Sequence, residues 1–401
     1  MRHQVRSGLA AIAFAAAAGI GAVAFHGSPS SSPSPTPLIV HEWGTITTVH
    51  AASGKPSGCL NQISDSDLLP DFVHKFEPAG LRTPVGSPAL FQSADASRIP
   101  LVKTAIGPCR PDVTMRLETP VIYFHPARSE TIASPLDVTV HFRGGVLNEF
   151  YPNASASVAV DVEQPEAHGH PLVLRGGGGQ PWNGGLLDSS VVGKLEWTGI
   201  SLRDSAPLPQ TFAHVWLAPR QVSAATVRTS AGESERYLFY RGVAHLDAVI
   251  ATQLDAAGVH LAAPAQLDWM RHSTSAIAGA WLVDIRANGT AAFHAAPPMT
   301  IDKAAPSAAL ASVSLFKNDE YSSSAISQLR AAMKRSLVSA GLSDDEASAM
   351  LETWSNSYFR TRGLRLFYLV PRDWTDYFLP LDISVPSTVT RVLVGRIDLT
   401  T

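Results

Sequence analysis

The sequence predicts a mainly β protein: one or two antiparallel, sandwich-like domains with a C-terminal αα-hairpin packed on a sheet. Three observations carry this. Short segments alternate apolar and polar residues, clusters of Gly, Pro, Ser and Asn separate them, and helical periodicity is confined to one late stretch. Strands do not alternate with helices along the chain, which argues against a parallel nucleotide-binding sheet.

The N-terminus is an address. Arg2, His3 and Arg6 precede the uncharged stretch Gly8 to Phe25, and Gly27 to Pro37 reads GSPSSSPSPTP. Residues 1–25 have the layout of an export signal, with Ala22-Val23-Ala24 as a small-x-small cleavage site, and residues 26–37 form a Ser/Pro linker. An uncleaved membrane anchor is the alternative, because the apolar run sits at the short limit for crossing a bilayer. Either way the folded part is expected outside the cytoplasm (periplasmic, cell-surface or secreted), touching a membrane only through this segment.

The first β region is expected over 38–220 and a second β-rich domain over 221–401, although one larger split domain would give the same alternation. Leu136, Val138, Val140 and Phe142 share one face of a strand, while Asp137, Thr139 and His141 take the face expected to meet solvent. Val158, Val160 and Val162 repeat the pattern. Val121–Phe124, Lys194–Trp197, Tyr237–Tyr240, Trp281–Ile285 and Arg391–Ile397 are further extended segments. Residues 163–188 read as a loop, and the glycine run Gly176–Gly179 lacks the Gly-Lys-Ser/Thr that a phosphate cradle requires. The helical stretch spans 325–359. Ile326, Leu329, Met333 and Leu337 recur at helical spacing and Gly341 stops the helix. Ser343 and Glu346 form a capping box for a second helix, whose stripe is Ala347, Met350, Leu351, Trp354 and Tyr358. Asp373 to Tyr377 reads as a polar turn that packs its rings on the core.

Composition bounds the partners. A chain that is 45% hydrophobic and 16% charged can bury a core. Its net charge of −3, without a basic stripe, excludes nucleic acid as an expected partner. The cysteines Cys59 and Cys109 are expected to pair as one disulfide in an oxidising compartment. No cofactor is expected.

Candidate chemistry rests on carboxylates beside aromatic rings: Glu42-Trp43, Glu149-Phe150 and Glu196-Trp197. Glycoside hydrolysis needs a pair of carboxyl groups about 5–10 Å apart, and sugars stack on aromatic faces. Strand alternation also produces such pairs without purpose, and that suffices for Glu149 and Glu196. Glu42 stands out because it shares a face with Val40 and Ile46, and a buried carboxylate needs a partner or a raised pKa. The candidate catalytic set is therefore Glu42 as general acid or base, Glu118 or Glu149 as partner carboxylate, and Arg116 as clamp. Arg116 with Glu118 also fits a structural ion pair. His41 and Trp43 are the candidate binding residues, Trp43 as a platform. His41, His50, His125, His141, His168 and His170 offer imidazoles, but H-E-x-x-H is absent and no metal site is assigned. G-x-S-x-G is also absent, and Ser314 to Lys317 matches S-x-x-K without a downstream K-T-G.

His41-Glu42-Trp43-Gly44-Thr45, the segment Glu118 to Phe124, the stretch Gly341 to Trp354 and Val394-Gly395-Arg396-Ile397 together resemble a group of exported bacterial proteins of unknown function. The resemblance covers most of the chain after the linker. It implies one recurring architecture and assigns no activity, substrate or catalytic residue. The functional expectation is an exported, envelope-associated binding or interaction protein, with carbohydrate or another envelope component as candidate ligand. The alternative is an extracytoplasmic polymer hydrolase that uses Glu42 with a second carboxylate.

Overall fold

The computed structural model describes residues 37–62, 69–78, 81, 109–126, 135–160, 180–182 and 184–400. Residues 1–25, residues 26–36 of the Ser/Pro stretch, Gly176–Gly179, His168 and His170 lie outside the described residues. Nine strands frame the fold. They are β1 (Leu38–Ala51), β2 (Met115–His125), β3 (Leu136–Arg143), β4 (Gly145–Tyr151) and β5 (Val191–Arg203), followed by β6 (Leu238–Ala244), β7 (Ala280–Ile285), β8 (Gly363–Leu369) and β9 (Ser387–Thr400). The helices are α1 (His214–Leu217), α2 (Ala325–Ser339), α3 (Asp344–Thr353) and α4 (Arg372–Phe378).

The mainly β class holds. Among the described residues, a 16-stranded sheet follows the path β5-β4-β6-β2-β1-β9-β8-β7, with β3 pairing on β5. Its pairing is mixed, which corrects the antiparallel expectation. β1 and β9 run parallel from Leu38↔Ser387 to Ala51↔Thr400, and a parallel bridge joins Gly145 to Val192. Alternation along a strand reports which face is buried and carries no information about the direction of its neighbour. The sheet also crosses residue 220: β6 pairs with β2 and β4, and residues 37–401 form one compact unit.

The sheet is covered on both faces. Along β1, Leu38, Val40 and Ile46 enter one core and Trp43 the other; along β9, Leu393 and Ile397 oppose Val392 and Val394. On the first face the cover comes from Val259, Leu261 and Val313 of a three-stranded sheet, Ile277 and Ile301 of a two-stranded sheet, and Trp374 of α4. The opposite face receives Leu329, Met333 and Leu337 of α2 with Ala347, Met350 and Leu351 of α3. A strand covered on both faces has little left to meet solvent, which is why β1 is buried almost throughout, Glu42 and its threonines included. Ser343 caps α3 and Glu346 closes the box.

Two local expectations change. Residues 372–378 form a helix rather than a turn, entered through Pro371, with Trp374 buried. His141 is buried instead of solvated, because Leu381–Ile383 pairs against β3 and brings Asp382 Oδ2 to 3.9 Å from Nδ1. In the middle of the sheet, Gly395 faces Tyr368, and a Cβ there would meet the ring at 2.0 Å. Cys59 and Cys109 form a disulfide. No helix among the described residues is long and apolar enough to cross a membrane.

Candidate functional site

Glu42 sits on β1 opposite Arg391 of β9 in the parallel register. Its side chain is fully buried, and its two oxygens accept hydrogen bonds from the Tyr240 hydroxyl and from Arg391 Nε. Arg391 also reaches Asp376 Oδ1 of α4 at 3.1 Å. Burial by itself would lower the pKa of Arg391, but Glu42 and Tyr240 outweigh it and hold the guanidinium charged. Burial and the neighbouring Glu42 push the Tyr240 hydroxyl well up. The group is a neutralised tie between β1, β6, β9 and α4 inside a filled core.

The other candidate carboxylates lie on the opposite face of the sheet. Glu118 accepts from the Tyr358 hydroxyl at 2.8 Å and lies 3.9 Å from Arg116 Nε. Glu149 lies 3.8 Å from Arg241, which also donates to Thr119 Oγ1 at 3.3 Å. Arg396 stands over the Tyr358 ring at 4.5 Å and pairs with Asp398 at 2.6 Å. These residues make a buried polar belt across β4, β6, β2 and β9, in which each acid has an arginine beside it. The sheet itself separates Glu42 from Glu118 and Glu149, so the expected catalytic pair does not assemble. Trp43 is fully buried against Tyr123, with ring centroids 6.0 Å apart, and offers no platform to a sugar. Glu196 is a half-exposed partner of Lys194 at 2.9 Å.

No family model, no curated protein and no solved structure matches this chain. The chemistry therefore rests on what its own side chains assemble.

Among the described residues they assemble one cluster with ligand geometry, at the end of β1 and β2. His41 pairs with Tyr123 and Ile39 with His125, so the two histidines are diagonal neighbours on one face, with ring centroids 4.9 Å apart. Above them, Glu346 projects from the first turn of α3. Its Oε2 lies 2.8 Å from His41 Nδ1, and its Oε1 lies 3.1 Å from His125 Nε2. The Ser343 backbone N–H and hydroxyl each donate to Oε2 at 2.8 Å, so the capping box that starts the helix also aims its carboxylate at the sheet. Burial alone would raise the carboxyl pKa of Glu346; hydrogen bonds from His125, His41 and the Ser343 backbone outweigh it and hold the group well below the usual carboxylate range. One donor atom from each of His41, His125 and Glu346 falls within 4.8 Å of the others. Sequence reasoning had two of the three residues and missed Glu346, because Ser-x-x-Glu before an apolar stripe is fully accounted for as a helix start.

One further surface feature stands apart from the core. Phe212 is 95% exposed, in the segment that leads into α1, and α1 is tied to α3 by His214 Nε2 on Glu352 at 3.2 Å.

Proposed function

We propose that this chain is an exported binding protein whose ligand is a carbohydrate or another component of the cell envelope. One observation carries the preference for binding over hydrolysis. Both oxygens of Glu42 are taken by Tyr240 and Arg391 in a packed core, with the candidate partner carboxylates on the far side of the sheet. A glycosidase needs two carboxyl groups converging on one bond. A binding surface needs only an accessible ring and polar rim, and Phe212 supplies such a ring.

The export half of the proposal is supported by the Arg2, Arg6 and Gly8–Phe25 layout together with the disulfide, which suits an oxidising compartment. The likeness to exported bacterial proteins agrees with it.

The test is a panel of peptidoglycan and neutral and acidic polysaccharides, read by co-sedimentation and calorimetry. Phe212→Ala is expected to weaken retention on at least one polymer without changing the melting temperature. Release of reducing sugar or soluble fragments from any polymer, lost in a folded Glu42→Gln variant, would overturn the proposal in favour of the hydrolase.

A further inference from the structure

We infer that His41, His125 and Glu346 form a binding site for a divalent first-row transition metal, with zinc the natural occupant of an N,N,O donor set in an oxidising compartment. The inference is independent of the ligand proposed above.

Several features point the same way. The donor atoms are one Nδ1, one Nε2 and one carboxylate, the mixture that suits zinc and its first-row neighbours and that calcium and magnesium disfavour. His41 Nδ1 lies 2.8 Å from Oε2 and His125 Nε2 3.1 Å from Oε1. One donor atom from each residue lies within 4.8 Å of the others, on the scale of the ligand–ligand spacing of about 3.3 Å around a tetrahedral ion.

The frame is also built in advance. The histidines stand on hydrogen-bonded strands in the middle of the sheet, and Glu346 is completely buried on the first turn of a capped helix. Ser343 holds Oε2 through both its backbone N–H and its hydroxyl, the kind of outer contact that orients a ligating carboxylate. The histidine side chains keep 16% and 22% exposure, so an ion can enter and solvent can complete its coordination. Three protein donors with an open position is the pattern of a reactive or ligand-exchanging zinc rather than a closed structural one.

A hydrogen-bonded clamp between α3 and the sheet would use the same contacts, so the experiment must separate the two. The full-length protein, exported and purified without a His tag, is stripped with a chelator and titrated with Zn²⁺ by calorimetry and with Co²⁺ by visible absorption. The expected result is one equivalent of either ion, the four- or five-coordinate d–d bands of Co²⁺, and at least about 100-fold weaker binding in His125→Gln and Glu346→Gln. X-ray absorption on zinc-loaded wild-type protein, which needs no variant to fold, is expected to show two imidazoles and oxygen in the first shell. Absence of saturable binding, or a first shell without two imidazoles, would overturn the site. So would unchanged affinity in both substitutions, and the contacts would then be the clamp alone.

Discussion

Glu42 shows how much one residue's partner decides. A buried carboxylate in a first strand suggests chemistry until its counter-ion is known; opposite Arg391 and under Tyr240 it is a tie. Breaking a buried pair leaves an uncompensated charge, so Arg391→Met should cost roughly 3–5 kcal/mol in urea denaturation. The double change Glu42→Gln with Arg391→Met should recover a large part of that, because neither charge is then stranded. His50 sets a pH response at the same scale. Burial lowers its imidazole from 6.5 to about 4, with Asp247 opposing, while Nδ1 meets Thr252 Oγ1 at 2.8 Å. The unfolded chain takes up this proton first as pH falls. Stability from this group is therefore complete above about 6.5 and declines as pH falls to about 4, by roughly 3 kcal/mol at most. Denaturation midpoints measured across that window should show a shallower decline in His50→Gln.

At the scale of elements, the strands and the two long helices were legible, each for a physical reason. Alternation marked β3 through Leu136, Val138, Val140 and Phe142, and a capping box marked α3. Partners were not legible. His141 read as solvated because nothing in its own strand announces the short strand Leu381–Ile383 that covers it. Glu346 read as a cap because local spacing explained it completely, leaving no residue of surprise to suggest His41 and His125. Two outcomes follow at this scale. Ser343→Ala removes the cap of α3 and one support of Glu346, and should cost about 1 kcal/mol in thermal or urea unfolding. Gly395→Ala drives a Cβ into the Tyr368 ring, 2.0 Å away in the middle of β9. Overpacking of that kind costs about 1–3 kcal/mol or more, and a large drop in melting temperature should accompany it.

The whole molecule depends on one pairing that no local pattern foretold. β1 lies between β2 and β9, and its partner Arg391 is 349 residues from Glu42 along the chain. The disulfide adds a second long closure, with a sequence separation of 50, and its reduction should lower stability by about 4 kcal/mol in the chain-entropy account. Comparing urea midpoints with and without reductant measures it. The parallel pairing has a different consequence, in the order of events in the cell. A strand flanked on one side by residues 387–400 has no completed sheet until those residues have been synthesised, so the central tie of Glu42 to Arg391 cannot close before then. Until then the emerging polypeptide keeps an open edge beside β1 and cannot settle into its final form. The consequence is one of timing: however early residues 38–51 are made, their sheet waits on residues 387–400.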